Sequence, residues 1–558
     1  MTLTTLAVLV PLAAALVVSA LPRSEPGLVR ALGLLGTLVE LVLIVTLVIG
    51  WDPEGASVQA RALAPWLPSL GVAWSLGLDG TLLAPLLAIG LVFPLASMIG
   101  PGPRPGEPPL VVGMLVLESA WVTVLLARDL VLLATAWEIA IVAMVVLLGE
   151  RGDGKMGVPG RTAAARRYAA HVLPGAAALI AALVLLGVAH SHASGGAWSW
   201  DIDEVGQVVM PGNWQRLGFG LLMITLATSL PLVPAQGWLG PVGASGPTPV
   251  VALLTGVGMP MAVILAQRVG LPLFPLAAGE WADPLAAIAL VGAGYAALSC
   301  WAEREPGRML GHAALLHSSM ALLALLCGSA AGRIALAPII LAQGVGLSAL
   351  ALVFGWLRRR QVGNLGELAG WAAVAPRALA LAMAGVLVLG GLPGTVGCFG
   401  QLDLVVTLLA SEGDAATHVS SSLELLHPRT WALLLPILVG LGTLGLLRSL
   451  WHAARGRPRP GLHERLTEID RREQIVGAIL IALAVGLSLI LAPLTQRSAL
   501  AHQRAVDDFH LARCLAIEAS EQPRPRMRDE LVSLCLDPAA RIRQVYGMPA
   551  LEPEGVEP

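Results

Sequence analysis

The chain has 558 residues, of which 56% are hydrophobic and 13% are charged, and its formal net charge is −2. Soluble proteins average roughly 25% charged residues, so this composition excludes an ordinary soluble protein. The small net charge and the absence of a long basic patch argue against a nucleic-acid partner. We therefore expect an integral membrane protein with the lipid bilayer as its surroundings.

The apolar residues are grouped in blocks near twenty residues long, the length of helix that spans a hydrocarbon core of roughly 30 Å. The blocks do not alternate polar and apolar residues, which favours helices over barrel strands. The first block precedes the first charge, Arg23, so it lacks the basic start of a signal peptide and predicts a first membrane helix. The predicted spans are 3–21, 31–50, 78–99, 109–127, 129–149, 168–190, 216–234, 247–267, 282–300, 310–328, 333–357, 375–409, 430–450 and 474–494.

The loops between these fourteen spans alternate in charge. The loop at 151–167 and the triplet at 358–360 are rich in Lys and Arg, whereas 201–204 and 412–414 are acidic. Basic loops face the cytoplasm, so the pattern places both termini outside, in an all-α polytopic protein of the bacterial inner membrane.

We divide the chain into an N-terminal three-helix segment (1–100), two inverted five-helix repeats (101–270 and 271–450), a last span (451–495) and a polar tail (496–558). The tail should contain short helices at 500–519 and 528–536 and face the periplasm. Its cysteines, Cys514 and Cys535, could pair in that oxidising compartment or remain free thiols on helix faces. We interpret Cys300, Cys327 and Cys398 as small apolar residues, and the spacing of the cysteines does not indicate a metal site.

Two predicted spans contain helix breakers at corresponding places in the two repeats. One contains Pro231 and Pro234, and the other contains Gly391, Pro393 and Gly394. Proline removes a backbone donor and clashes with the preceding turn, so both helices should be interrupted. Matched breaks indicate a duplicated transporter-like fold with its function near the breaks.

Three glutamates lie within predicted spans, where an ionisable group is costly and is a functional candidate by default. Glu138 and Glu118 suit proton carriers, because a carboxyl can load and release a proton, or they are hydrogen-bonded packing residues. Glu40 is interpreted as a packing residue or as one that faces a partner subunit.

Two histidines, His312 and His317, lie five residues apart in one predicted span and do not share a helical face cleanly. His317 lies deeper and is the better proton relay, although a structural hydrogen bond is the alternative. Lys155 is the only lysine, and it lies in a loop. Arginine stays protonated and cannot replace lysine as a proton carrier, so the chain does not use a buried lysine for this purpose.

Several strings resemble the antiporter-like M-type subunit of respiratory complex I, a member of a proton-conducting membrane transporter family, in order over residues 65–495. They are "WLPSLGVAWSLGLDGTLLAPLL", "LESAWVTVLLARDLVLLATAWEI", "GRTAAARRYA", "LPLFP", "RMLGHAALLH" and "GLPGTVGCFGQ". The resemblance implies fourteen helices and outside termini.

The resemblance also implies site residues, and the chain matches the family at Glu118, Glu138 and His317. The family has a lysine that pairs with the fifth-helix glutamate, further lysines or acids in the eighth and twelfth helices, and two histidines. The positions that differ here are Ser229, Pro260, Gln401, Gln343 and Gln236. Asp403 is the nearby acid that could substitute at the second break. Without the lysine, a switch based on a Lys–Glu pair has no cation to act on, which predicts an impaired or rebuilt proton path.

The expected role is that of a membrane subunit in an NADH–quinone oxidoreductase of an electron transport chain, in contact with other membrane subunits. The chain has no Gly-rich dinucleotide turn, cysteine cluster or haem ligand set, so we predict no cofactor and assign it no catalytic residue. The alternatives are a subunit of a cation/proton antiporter or of an ion-coupled inorganic-carbon uptake system, and a non-conducting scaffold.

Overall fold

A computed structural model describes residues 2–22, 24–99, 108–150, 158–410, 428–457 and 466–519. The predicted helix at 528–536, Cys535 and the acidic loop at 412–414 lie outside these residues. The disulfide between Cys514 and Cys535 therefore stays a prediction.

The N-terminal segment consists of three helices and a β-hairpin that the sequence analysis missed. The antiparallel strands β1 (Val58–Leu67) and β2 (Val72–Asp79) lie between helices α2 and α3. The predicted start of the third span at 78 is therefore wrong, because Asp79 closes the strand and its side chain accepts a hydrogen bond from the amide of Thr81. The helices are α1 (Leu3–Ser19), α2 (Pro26–Ile49) and α3 (Leu83–Met98).

The hairpin packs against the end of α4. The amide of Arg128 donates to the carbonyl of Ser75 at 2.8 Å, and the amide of Ala73 donates to the carboxylate of Asp129 at 2.9 Å. Asp129 also accepts the first two free amides of α5, so one side chain caps a helix and fixes the hairpin.

The first group of helices agrees with the predicted spans to within a few residues, except that the sixth begins earlier. They are α4 (Pro108–Leu126), α5 (Leu130–Gly149), α6 (Val158–Ala193), the short α7 (Ile202–Gly206), α8 (Gly212–Ser229) and α9 (Leu239–Ser245).

The second group begins with one long helix that contains two π-helical segments, Leu254–Gly258 and Ala266–Gly270, which the sequence did not indicate. A π-helical turn widens the backbone and is frequent at functional sites. The helices are α10 (Thr248–Leu273), α11 (Pro275–Ala302), α12 (Pro306–Leu326), α13 (Ala330–Arg359), α14 (Pro376–Leu389), α15 (Val396–Ala410) and α16 (Pro428–Ala454).

Both predicted helix breaks are confirmed. Helix α8 ends at Ser229, Pro231 and Pro234 follow it outside regular helix, and the chain resumes helical structure in α9. Helix α14 ends at Leu389, and α15 begins six residues beyond Gly390. Gly391 and Gly394 in this second break have φ values of +76° and +87°, which glycine adopts without strain.

The last helix, α17, runs from Arg471 to Glu518 without interruption over 48 residues. The predicted boundary at 495 and the separate tail helix at 500–519 are therefore wrong. The polar part remains helical because it packs on the N-terminal segment, where the indole of Trp51 donates to the carbonyl of Arg497 at 3.1 Å.

Each of the fourteen predicted spans corresponds to one helix or one broken helix, so the chain is a multi-pass, all-helical membrane protein. In the described part of the chain, eleven helices are long and apolar enough to cross a membrane by length and composition. Three shorter apolar helices, α1, α14 and α15, add to them. The number of crossings and the side of each terminus stay predictions.

Candidate functional site

A cluster of buried polar side chains connects three helices near the middle of the molecule. The side-chain amide of Gln343 on α13 donates to the carbonyl of Thr255 and to the hydroxyl of Ser318, each at 2.8 Å. Thr255 lies in the first π-helical segment of α10, and Ser318 lies on α12. We call Thr255, His317, Ser318 and Gln343 the central cluster.

His317 precedes Ser318 on α12 and is 3% exposed, and it is counted with the cluster for this position, although no hydrogen bond joins it to the other members in the described structure. In the described structure its Nδ1 atom has no hydrogen-bond partner, and the same is true of the hydroxyls of Ser319 and Ser348. Buried polar atoms usually have hydrogen-bond partners, so these three atoms are polar exceptions in an apolar interior. The sequence predicted His317 and Gln343, whereas Thr255 gave no signal because its role depends on the π-helical turn.

His312 lies on a different face of α12 from His317, as their five-residue spacing predicts. It is half-buried, and its ring makes an edge-to-face contact with Tyr295 on α11 at 5.7 Å between ring centres. Among the described residues, no hydrogen bond joins it to the central cluster.

Glu138 lines an apolar groove of about 760 Å³ on the outer side of α4, α5 and α6. Its side chain is half-buried, and its Oε1 atom has no hydrogen-bond partner among the described residues. The groove is otherwise lined by residues such as Val131, Val142, Ile180 and Trp200.

Ser229, at the end of α8, is half-buried. In the part of the chain that the structure describes, no hydrogen bond joins it to Glu138. The structure therefore does not bring together the two residues that the family resemblance aligns with a Lys–Glu pair.

Glu118 lies on α4 at its interface with α2, away from the central cluster. It interacts electrostatically with Glu40 of α2, and both side chains are fully buried. The expectation that Glu40 faces a partner subunit is therefore wrong, because its carboxyl points into the chain.

The two breaks use neutral donors to satisfy backbone carbonyls. At the first break, the indole of Trp238 donates to the carbonyl of Thr228 at 3.0 Å. At the second, the amide of Gln401 donates to the carbonyl of Leu389 at 2.7 Å, and Asp403 is half-buried two residues further along the same helix. The free carbonyls of a helix end attract positive charge, so these donors occupy places where a cation would be favoured.

Two buried arginines close other helix ends and were not singled out from the sequence. Arg268 donates to the carbonyls of Val124 and Ala127 at the end of α4, the latter at 2.6 Å. Arg358 donates to the carbonyls of Gly243 and Ala244 at the end of α9, each at 3.1 Å. Arginine remains protonated, so both fix helix ends and neither can relay a proton.

These features define a polytopic helical protein with two matched broken helices and a buried polar centre between them. Residues 127–426, more than half of the chain, match the family described as NADH:quinone oxidoreductase/Mrp antiporter, transmembrane. The chain belongs to this family.

Curated relatives match nearly the whole chain. The chain is 27% identical to an NAD(P)H-quinone oxidoreductase chain 4 of Nostoc over 521 residues, which cover 92% of each protein. It is also 27% identical to a chain 4 of Trichormus variabilis over 493 residues, 87% of this chain and 88% of the relative.

Solved structures share the fold. A chain of respiratory complex I from Thermus thermophilus superposes with a TM-score of 0.75 at 24% identity and covers 90% of this chain and 99% of its own length. A chain of the Mrp complex from Dietzia superposes with a TM-score of 0.73 at 18% identity and covers 91% of this chain and 98% of its own.

Proposed function

We propose that the chain is an antiporter-like subunit in the membrane arm of a complex I-related NADH–quinone oxidoreductase, where it takes part in proton translocation. The observation that carries this proposal is the continuous similarity to oxidoreductase chain 4 of Nostoc over 92% of the chain. Its partners are then the other membrane subunits of that assembly, and the redox reactions take place in different subunits.

The proton path of this subunit runs through the central cluster. Gln343 joins α13 to α10 and α12 through its hydrogen bonds to Thr255 and Ser318, and His317 is the residue before Ser318 on α12. An imidazole and a hydroxyl can both accept and donate protons. The neutral donors at both breaks support the view that a lysine switch has been lost. The path is accordingly impaired or rebuilt around uncharged groups.

The test uses the whole complex, purified and reconstituted in vesicles, with NADH oxidation by quinone as the driving reaction. The measurement is the number of protons translocated for each electron. We expect His317→Gln to lower this ratio while NADH oxidation continues, because glutamine cannot take up and release a proton. His312→Gln is the matched control and should keep the wild-type ratio.

Glu138→Gln tests the groove carboxyl in the same assay, and a lower ratio would assign Glu138 to the path. An unchanged ratio of protons to electrons would show that Glu138 is not part of the proton path. If neither His317→Gln nor Glu138→Gln changes the ratio, the chain acts as a scaffold in the complex.

A second candidate function is that of a subunit in a cation/proton antiporter, because the fold also matches a chain of the Mrp complex. Purification of the tagged chain with its native partners separates the two proposals. Quinone-reducing activity in the purified assembly supports the first, and sodium-driven proton movement without such activity supports the second.

The proposed location is the bacterial inner membrane, with both termini and the polar tail on the periplasmic side. The alternation of basic and acidic loops supports this orientation. A cysteine placed at position 496 should react with a membrane-impermeant thiol reagent added to intact spheroplasts. A cysteine at the exposed position 363, just after α13, should react only after the membrane is opened, and the reverse result would invert the topology.

A further inference from the structure

Helices α2 and α4 approach closely through two glycines. Gly33 of α2 faces the side chain of Val111 of α4, and a methyl group on this glycine would collide with it. A methyl group on Gly36 would collide with Ala14 of α1 at 2.7 Å and would lie 3.3 Å from the side chain of Leu115 of α4. Small residues allow membrane helices to pack at short distance. These contacts advance in the same direction along both helices, which fixes the register of the interface.

The same register brings two carboxyl groups together. Glu40 lies seven residues after Gly33, and Glu118 lies seven residues after Val111. Seven residues make nearly two turns and return to the same helical face. The two side chains are accordingly on the faces that α2 and α4 turn toward each other, and the coulombic influence of Glu40 on Glu118 agrees with this placement.

Neither carboxyl has a partner elsewhere in the described structure. Both side chains are 0% exposed, and none of their four oxygen atoms accepts or donates a hydrogen bond. The neighbouring hydroxyls are engaged with the main chain, since Thr37 donates to the carbonyl of Leu34 at 2.9 Å and Ser119 donates to that of Val8 at 2.7 Å.

No positive charge from the packed helices faces the pair in the described structure. Helices α1 and α3 carry no ionisable side chain, α5 carries only Glu138 in the outer groove, and β2 at the far end of α4 carries only Asp79. The other charged group of α2 is Arg30, which lies ten residues away, about 15 Å along the helix axis.

Two ionised carboxylates in such a place would lack both water and counter-charge, and each would repel the other. One proton shared between them forms an O–H···O hydrogen bond and provides the missing partner for both groups. We propose that Glu40 and Glu118 form a buried carboxyl pair that binds a proton between α2 and α4, as a second protonatable site apart from the central cluster.

Infrared spectroscopy of the full chain in lipid vesicles tests the pair without any quinone reaction, so its result does not depend on the proposed function. At pH 7 we expect a carboxylic-acid C=O band that shifts in heavy water. Glu40→Gln and Glu118→Gln should each displace this band, and the double variant should lose it. Glu138→Gln is the control and should leave it in place.

Two outcomes would overturn the proposal. A carboxylic-acid C=O region that is the same at pH 7 in the wild-type chain and the double variant, together with a loss of carboxylate bands in the variant, would mean that the pair is ionised. A band that appears only when sodium is removed would mean that the pair binds a monovalent cation instead of a proton.

Leucine variants provide a second measurement if the glutamine variants do not fold. Glu40→Leu should lower the thermal unfolding temperature, because it leaves Glu118 buried alone. The double variant Glu40→Leu/Glu118→Leu should recover most of the loss. If the double variant lost as much unfolding temperature as the two single leucine variants together, the pairing would be contradicted.

Discussion

The two broken helices have the same plan, but they differ in how firmly the break is held. At the first break the donor is the indole of Trp238, which is fully buried and contacts the ring of Tyr168 edge-to-face at 5.1 Å. At the second, the donor is the half-buried amide of Gln401, with the ionisable Asp403 close by. The first break is fixed by packing, whereas the second is polar and adjustable, so the second is the better place for a residual ion-dependent change.

The largest expected effect comes from Trp238→Ala. It removes a fully buried side chain and the donor to Thr228, so unfolding should become easier by about 3–5 kcal/mol, the usual cost of such truncations. Thermal unfolding of the purified chain in detergent measures the change. Trp238→Phe keeps most of the packing and should cost about 1 kcal/mol, the contribution of one hydrogen bond. Equal losses for both variants would show that packing does not hold the first break.

Gly391→Ala should have the next largest effect, because the residue has φ of +76° and a methyl group there would meet the side chain of Gln401. Strain of this kind costs about 1–3 kcal/mol. Gly394→Ala is the matched control, since its φ is +87° but no atom lies within 4 Å of the added methyl. The same unfolding assay should show a smaller loss for Gly394→Ala. If Gly394→Ala lost more stability than Gly391→Ala, the side chain of Gln401 would have to move aside at little cost.

Gln401→Leu should have the smallest effect, about 0.5–1.5 kcal/mol, because it removes one half-buried hydrogen bond to Leu389. Gln401→Lys restores a cation at this helix end and should be no less stable than the leucine variant, since the helix carbonyls favour positive charge. Both are compared by unfolding temperature. A loss for Gln401→Leu as large as that for Trp238→Ala would remove the distinction between the two breaks.

The helices and both breaks were predictable because they depend on local properties. Blocks of apolar residues define the spans, and Pro231, Pro234 and Pro393 remove backbone donors wherever they occur. His317 was found for a similar reason, since a polar residue in an apolar block is conspicuous, whereas Gln343 was named only through the family resemblance.

What the sequence did not indicate depends on contacts between distant parts of the chain. The hairpin at 58–79 lies against the end of α4, and its strand residues are as apolar as those of a helix. Thr255 accepts from Gln343 only because α10 contains a π-helical turn. Glu40 and Glu118 are 78 positions apart in the sequence. Their pairing follows from the register of α2 on α4, which no local pattern reveals.

Helix α17 has one further consequence. At 1.5 Å per residue, its 48 residues extend about 72 Å, more than twice the thickness of a bilayer core. It passes α13 within the helical bundle and then reaches the base of the hairpin, where Arg497 donates to the carbonyl of Ile49 at 2.7 Å. The helix thus connects the last part of the chain to the N-terminal segment and supports that segment. A stop codon after Thr495 would spare every predicted span, yet it would leave Trp51 and the hairpin without their support.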